Sequence, residues 1–222
     1  MVRYNFAFDT VWNNKLFILE GIVMSVEITA IALAIGLSIG LIAGLCKVSK
    51  NKFFSIPAIF YVELFRNTPE LVQLIWVYYC LPILVGLHMM AITSCIIALG
   101  LNSGGYLAEV FRAGIQSVEK GQIEAARALG LSHFQAMRKV ALPQAIRTMM
   151  PPFLNQSIAL LKNSSLVSAL GVADLTYRAQ VVATNSFRPI EIFTAAAALY
   201  FCFCTLLSYV GRFSEKKLTA FR

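Results

Sequence analysis

Charged residues are scarce in this chain, which excludes an ordinary soluble domain. Asp, Glu, Lys and Arg make up 14% of the 222 residues, hydrophobic residues make up 58%, and the mean hydropathy is +0.71. An average soluble domain carries about 25% charged residues. Several windows of about 20 mostly apolar residues are long enough to cross a bilayer core of roughly 30 Å. The composition therefore predicts a polytopic membrane protein surrounded by lipid.

Histidines and ligand-like cysteine patterns are scarce as well. His88 and His133 are the only histidines, and the predicted topology places them on different sides of the membrane, so we expect no shared metal site and no proton relay. The five cysteines lie in or beside apolar stretches, and their odd number argues against a disulfide framework. The sequence also lacks a Gly-x-x-x-x-Gly-Lys-Ser/Thr phosphate loop. We therefore expect no bound metal or cofactor and no ATPase activity in this chain.

Five apolar stretches predict about five membrane-spanning helices in one all-α domain. They cover residues 21–45, 53–86, 91–111, 149–171 and 191–210. The second stretch is too long for one straight span and contains Pro69, which cannot donate to a helix ladder, so we expect one helix kinked at residues 66–69. The fourth stretch opens with Pro151 and Pro152, which suit a helix start.

Small residues recur along the first apolar stretch. Gly36, Gly40 and Gly44 are spaced at intervals of four residues. Such a row lets two membrane helices approach closely, and it also fits the ordinary tolerance of membrane helices for glycine. The row is therefore a candidate helix or subunit contact, with the second interpretation left open.

The positive charge is concentrated between the spans. The net charge is +8, and thirteen of the nineteen basic residues fall in three blocks: Lys47, Lys50, Lys52; Arg112, Lys120, Arg127, Arg138, Lys139, Arg147; and Arg212, Lys216, Lys217, Arg222. The positive-inside rule assigns such blocks to the cytoplasm. With five spans, this puts the N-terminus outside and the C-terminus inside, and it explains the charge without nucleic acid as a partner.

Residues 112–147, called the polar segment below, form the longest polar stretch. Good helix formers run from Glu124 to Leu129, and Gly130 suits the left-handed position that ends a helix. Ser132 and Gln135 have the spacing of a capping box, so a second helix should begin there and end before Pro143. Such a helical pair either docks on a partner or lies on the membrane surface.

The polar segment resembles the EAA loop of ABC importer permeases. The matching residues, with valine in place of the usual isoleucine, are Glu124, Ala125, Ala126, Gly130, Val140, Leu142 and Pro143. Residues 61–69, 105–115 and 161–171 are similar to the branch of that family that takes up polar amino acids, and the resemblance extends from about Gly21 to Arg212. The chain is thus identified as a permease subunit rather than an enzyme.

The resemblance implies a division of labour between several proteins. ATPase subunits, as a dimer, would bind ATP and Mg and receive the EAA loop, here Glu124, Ala125, Ala126, Gly130, Leu142 and Pro143. A second permease copy or a paralogue would complete the membrane part. A periplasmic or lipid-anchored binding protein would deliver the amino acid to the outer face of the bacterial inner membrane. Residues 61–69 look most like permeases for glutamate and aspartate, which favours those substrates.

Two polar interruptions within apolar stretches are candidate parts of the translocation pathway. They are Arg66, Asn67, Thr68 and Lys162, Asn163, Ser164. An unpaired cation at mid-membrane costs roughly 2.5 to 3.5 kcal/mol, so these cations should face a cavity, a carboxylate or the substrate. The alternative is structural: Arg66 pairs with Glu63 or Glu109, and Lys162 caps a helix end.

Two further readings concern a charged pair and the class of transporter. Glu109 and Arg112, three residues apart, suit a structural or gating pair on one helical face.

An ion-coupled secondary transporter would also explain a broken helix and buried charges. Such folds usually carry inverted repeats, and no convincing duplication is visible in this sequence.

The charge pattern predicts the sidedness of individual positions. Single cysteines at Asn14 and Asn185, in a cysteine-free background, should react with a membrane-impermeant thiol reagent in intact cells. Cysteines at Lys50, Gly130 and Lys217 should react only after the membrane is opened, because the basic blocks lie inside. Labelling of position 217 in intact cells would mean an even number of spans, with the break at Pro69 separating two of them.

Overall fold

The computed structural model describes residues 4–219, with side chains described for residues 4–213, and all regular structure in that part is helical. Arg3, Arg222 and the side chains of Lys216 and Lys217 lie outside the described part. The elements are α1 (Asp9–Asn13), α2 (Lys15–Val48), α3 (Lys52–Arg66), α4 (Glu70–Val85), α5 (Ala91–Gln116), α6 (Lys120–Ala128), α7 (His133–Ala136), a π-helical turn (Met137–Ala141), α8 (Leu142–Asn163), a 3-10 helix (Ser164–Leu170), α9 (Leu175–Ser186) and α10 (Pro189–Thr219).

Three helices of the described part are long and apolar enough to cross a membrane: α2, α5 and residues Pro189–Phe213 of α10. Two helix pairs, each bent at a short break, pass the same test together and raise the number to five. They are α3 with α4, and residues His133–Leu170 with α9. The predicted all-α membrane fold is therefore confirmed.

The second apolar stretch is divided between two helices. Helix α3 ends at Arg66 and α4 begins at Glu70. The freed backbone is partly satisfied locally, because Asn67 donates its N–H to the Glu63 carbonyl at 3.0 Å and the Thr68 hydroxyl donates to the Leu64 carbonyl at 2.7 Å. The interruption lies where proline predicts it, and a single crossing by residues 53–86 stays a prediction.

The prolines of the fourth stretch do not start a helix, so that prediction is wrong. Pro151 and Pro152 lie inside α8, which begins at Leu142. Pro143 does not end the preceding helix either, because a π-helical turn leads directly into α8 and the N–H of Leu142 donates to the Met137 carbonyl, five residues back. In a regular α-helix, the ring of Pro143 would clash with the carbonyl four residues before it. The π-helical turn contains an extra residue, which moves this carbonyl away from the ring.

The described residues form two compact units, and the first comprises residues 4–32, 69–99 and 158–207. Its core is built from α2, α9 and α10 and contains Ile18, Ile22, Leu175, Ala179, Val182, Ala183, Ile192 and Ala196. Helix α9 was not predicted. Its N-cap is Asp174, whose carboxylate accepts hydrogen bonds from the N–H groups of Tyr177 at 2.8 Å and Thr176 at 3.2 Å.

A buried carboxylate at the start of α10 holds the N-terminal segment of the first unit. Glu191 is fully buried and accepts hydrogen bonds from the Tyr4 hydroxyl at 2.6 Å and the Ala7 N–H at 2.9 Å. The hydrogen bond to this carboxylate raises the pKa of Tyr4. Two polar groups of the segment before α1, the Tyr4 hydroxyl and the Ala7 N–H, are thereby hydrogen-bonded to α10.

The second unit comprises residues 33–68, 100–157 and 208–219 and depends on a close contact between α2 and α5. A Cβ atom on Gly36 would lie 2.9 Å from the Ser103 Oγ, and one on Gly40 would lie 2.7 Å from the Leu107 Cβ. Real Cβ atoms do not approach other atoms so closely, so the glycine row is a helix contact within the chain.

Replacing Gly40 tests this contact. We expect Gly40→Leu to destabilise the protein by about 1 to 3 kcal/mol or to prevent folding, because the side chain has no room against α5. The measurement is thermal unfolding of the purified protein in detergent, with Ala34→Leu as the control on an exposed position of the same helix. Equal unfolding temperatures for both variants would show that the contact is not tight.

Candidate functional site

The turn between α6 and α7 has the geometry that the sequence predicts. Gly130 adopts φ = 88°, and its N–H donates to the Arg127 carbonyl at 3.0 Å. The N–H of Leu131 donates to the Ala126 carbonyl at 3.2 Å. These two bonds form a Schellman motif, which ends a helix with its last carbonyls satisfied. The predicted left-handed glycine is confirmed.

The helix that follows begins with a complete capping box. Gln135 donates its N–H to the Ser132 hydroxyl at 3.3 Å, and Ser132 donates its N–H to the Gln135 side-chain oxygen at 2.9 Å. Both ends of the turn are therefore fixed by local hydrogen bonds. The turn is ordered by its own residues.

The polar segment exposes large apolar side chains at this turn. Leu129 and Phe134 are 85% and 70% exposed, and Glu124 and Ala125 are exposed on α6. Ala126, the next residue of α6, is buried within the second unit. An ordered turn that presents exposed apolar groups has the character of a docking surface.

Of the other candidate loop residues, Leu142 and Pro143 lie at the start of α8. Leu142 is 51% exposed and borders an apolar groove of about 380 Å³. Ile115, Phe134 and Met137 also line this groove. The groove adjoins the exposed turn, because Phe134 belongs to both.

Glu109 of α5 joins two cations in the second unit. Its carboxylate accepts a hydrogen bond from the Arg112 Nε at 2.9 Å and pairs with the ammonium group of Lys47. Arg112 also donates to the Gln116 side chain at 2.5 Å. The contact of Glu109 with Arg112 is present as expected, whereas Lys47 as a third member was not predicted. The only indication of Lys47 in the sequence is its place in the basic block that follows the first apolar stretch.

Arg66, Asn67 and Thr68 lie at the end of α3, in the second unit. The Arg66 guanidinium lies 5.5 Å from the ring centroid of Tyr106. Neither predicted carboxylate pairs with it, since Glu63 accepts from Asn67 at 2.7 Å and Glu109 is engaged by Lys47 and Arg112. The ion pair expected for Arg66 is therefore absent among the described residues, and its place in the pathway stays a prediction. An aromatic face replaces the expected carboxylate, as cation–π contacts allow.

Lys162, Asn163 and Ser164 lie in the first unit, where α8 passes into the 3-10 helix. Lys162 is exposed in the last turn of α8, a favourable place for a cation. Ser164 is fully buried and donates its hydroxyl to the Leu161 carbonyl at 2.8 Å. Asn163 donates to the carboxylate of Glu70, the first residue of α4. The two predicted interruptions thus belong to different units.

Glu70 is the polar residue that the sequence reasoning missed. Its signal was present, because a carboxylate directly after Pro69 stands inside a long apolar stretch. Among residues 4–213, no group of three or more His, Cys, Asp and Glu side chains is placed to hold a metal ion.

A family model matches most of this chain. It is the binding-protein-dependent transport system inner membrane component, and it matches residues 36–220.

Two curated relatives are similar over nearly their whole length. The putative glutamine transport system permease protein of Rickettsia bellii is 41% identical over 203 residues, covering 91% of this chain and 93% of that protein. The arginine transport system permease protein of Bacillus subtilis is 37% identical over 202 residues, covering 91% and 92%.

A solved structure has the same fold. The crystal structure of an amino acid ABC transporter with histidines superposes with a TM-score of 0.89 at 37% identity, over 96% of this chain and 100% of that one.

Proposed function

Because this chain belongs to the family of binding-protein-dependent transport system inner membrane components, it is a permease subunit of an ABC importer of amino acids, and we propose that it forms the translocation pathway and couples to a separate ATPase. The observation that carries the coupling proposal is the ordered turn at Gly130, which presents exposed side chains between a Schellman motif and a capping box. An ion-coupled mechanism is not favoured by these relatives.

The proposed docking group consists of Glu124, Ala125, Ala126, Gly130, Leu142 and Pro143. Glu124 and Ala125 offer an exposed helical surface, and Ala126 anchors α6 to its own unit. Leu129 adds an exposed apolar side chain next to the turn. A partner that covers Leu129 and Phe134 gains the burial of two large apolar groups, each worth about 1.5 to 3 kcal/mol when fully buried. A cytoplasmic ATPase subunit, present as a dimer that binds ATP and Mg, is the proposed partner.

The remaining partners follow from the same proposal. A second permease, identical or paralogous, completes the membrane part, and a periplasmic or lipid-anchored protein delivers the amino acid. The proposed orientation in the bacterial inner membrane puts the N-terminus outside and the polar segment and C-terminus inside. Glu109, held by Lys47 and Arg112, is proposed as a structural or gating group near the inner end of α5.

The proposed substrate is a polar amino acid, with glutamine as the first candidate. The relatives named above are described for glutamine and for arginine. Their names do not support the preference for glutamate and aspartate that residues 61–69 suggested. Both named substrates carry a cationic α-ammonium group and lack a side-chain carboxylate.

Coupling is tested by the turn glycine. In a transporter reconstituted with its ATPase and binding protein, Gly130→Val should abolish glutamine uptake, because a β-branched residue at φ = 88° costs roughly 1 to 2 kcal/mol or more and misplaces the turn. Membrane insertion should be normal. Glu124→Ala and Glu124→Lys should reduce uptake to a smaller extent. The measurements are uptake of radiolabelled amino acids and ATPase stimulation by the loaded binding protein.

The matched control is Gly121→Val, since a Cβ atom on Gly121 meets nothing within 4 Å and its backbone is helical. Gly130→Asn should preserve part of the uptake, because asparagine tolerates the left-handed conformation. Full uptake and full ATPase stimulation with Gly130→Val would contradict the coupling proposal. Failure of the wild-type complex to take up any amino acid would contradict the proposed function itself.

The two cations at the interruptions are tested separately, since they belong to different units. We propose that each lines the pathway and attracts a substrate carboxylate. Arg66→Gln and Lys162→Gln should then lower uptake at least about tenfold or change the order of preferred amino acids, because hydrogen bonds to charged groups contribute about 1.5 to 3 kcal/mol. Uptake kinetics are compared at equal protein level. An unchanged preference with only a reduced amount of protein would leave the cations with a structural role.

A further inference from the structure

An open apolar groove lies between the end of α2 and the start of α3, within the second unit. Its volume is about 670 Å³, which falls within the roughly 300 to 1,000 Å³ of ligand sites. Small side chains leave this space, since Ala43 and Ala58 line the groove and are buried, whereas Ile42 beside them is 64% exposed. The remaining walls are formed by Ile39 and Cys46 of α2 and by Phe54, Pro57 and Tyr61 of α3.

The two ends of the groove differ in character. At one end, Tyr61 donates its hydroxyl to the Leu101 carbonyl at 2.6 Å, and a Cβ atom on Gly104 of α5 would lie close to both Tyr61 and Ile39. At the other end stands Lys52, the first residue of α3. The wall from Ile39 to Cys46 rises about 10 Å along α2 at 1.5 Å per residue. The groove therefore leads from a cationic entrance into the apolar part of both helices.

The cations at this entrance lack a partner of opposite charge within the described part of the chain. Lys50 and Lys52 are exposed, and none of the four ion pairs found there includes either of them. Lys47, by contrast, pairs with Glu109. The first turn of α3 contains no acidic residue, and the positive end of the helix dipole opposes a cation at that position. A bound anion would offset this repulsion.

We propose that this groove, called the α2–α3 groove below, binds one anionic phospholipid. An acyl chain lies over Ala43 and Ala58, and the phosphate group pairs with Lys52 and Lys50. The lipid comes from the leaflet that adjoins the basic blocks, which is the cytoplasmic leaflet in the proposed orientation. Such a lipid combines the negative charge that the entrance lacks with a chain that covers the apolar walls. The inference does not depend on which amino acid is transported.

Aromatic residues beside the entrance suit the depth of a lipid headgroup. Phe53 and Phe54 follow Lys52 directly, and their rings meet edge to face with centroids 5.5 Å apart. Both rings are exposed, at 78% and 51%. Basic residues and exposed aromatic rings together mark the level at which a membrane helix meets the interface. The headgroup and the start of the acyl chain therefore meet matching surfaces of the protein.

A second copy of the chain is the competing occupant of the groove. A two-fold contact brings the same patch of both copies together. Such a contact would gather the uncompensated lysines of two copies at one interface, where like charges repel. A phospholipid with a net negative charge brings the opposite sign to the same place. The charge at the entrance therefore favours lipid.

A further explanation requires no site at all. Basic residues near a membrane surface attract anionic lipid in general, so Lys50 and Lys52 could serve only to orient the chain. General attraction enriches anionic lipid alike on every face of the helices at that depth. A site enriches it in the groove. Two reporters at similar depth, one inside the groove and one outside it, separate these explanations.

The test measures quenching of tryptophan fluorescence by brominated phospholipids in bilayers that contain the purified full-length chain. Trp12→Phe and Trp76→Phe remove the native tryptophans, and Phe54→Trp places the reporter in the groove. Phosphatidylglycerol and phosphatidylcholine with the same brominated acyl chains are compared, which gives the binding constant of the anionic lipid relative to the zwitterionic one. The control reporter is Leu45→Trp, because Leu45 is 53% exposed, adjoins Cys46 and does not line the groove.

The groove reporter should show a preference of at least about fivefold for phosphatidylglycerol, as expected from the attraction of one basic residue to anionic lipid. The control reporter should show almost none. Lys52→Gln should lower the preference at the groove about fivefold, and Lys50→Gln should lower it less, because Lys50 lies outside the groove lining. Lys120→Gln removes the same charge from an exposed position of α6 and should leave the preference unchanged.

Three results would overturn the inference. An equal preference at the two reporters would show general attraction without a site. A preference that survives Lys50→Gln combined with Lys52→Gln would show that the lysines do not hold the headgroup. Quenching of the control reporter but not of the groove reporter, with both lipids, would show that a protein surface such as a second copy covers the groove. All these substitutions change exposed residues, and amino acid uptake is measured separately, so the proposed function is tested independently.

Discussion

Hydrocarbon offers no hydrogen-bond partner, and this constraint governs where the chain departs from regular helix. Three departures are accompanied by a polar side chain that satisfies part of the freed backbone. Thr68 donates to the Leu64 carbonyl at the first break, and Ser164 donates to the Leu161 carbonyl where the 3-10 helix begins. Asp174 accepts from two N–H groups at the start of α9. Because polar side chains gather at these points, the same points are suited to contact a polar substrate.

Close backbone approach is the second consequence of a lipid surrounding, since helices in lipid associate through packing rather than through the hydrophobic effect. Helix α2 carries the small residues for both units. In the first unit, a Cβ atom on Gly21 would lie 2.7 Å from the Leu175 Cα, and in the second unit the row from Gly36 to Gly44 meets α5. The row alone could not distinguish a contact within the chain from one between subunits, because glycine spacing carries no information about the partner.

Sequence reasoning succeeded where the determinants are local. The left-handed Gly130 and the capping box of Ser132 and Gln135 depend on residues within one turn of each other, and both have the predicted form. Pro151 and Pro152 failed as start signals because α8 already begins at Leu142, directly after a π-helical turn that sequence periodicity does not reveal, and continues through both prolines. The partner of Arg66 was also missed. Choosing Tyr106 over Glu63 requires knowing that α3 and α5 pack together, which is a tertiary fact.

Substrate preference illustrates the same difference between local pattern and spatial arrangement. The similarity of residues 61–69 to glutamate and aspartate permeases is a comparison of nine positions, and it gives nearly equal weight to each of them. Discrimination between an anionic and a cationic or neutral amino acid depends instead on the few charged groups that reach the substrate, because one unpaired charge outweighs many neutral contacts. Glu70 follows that stretch immediately and brings a negative charge to the break.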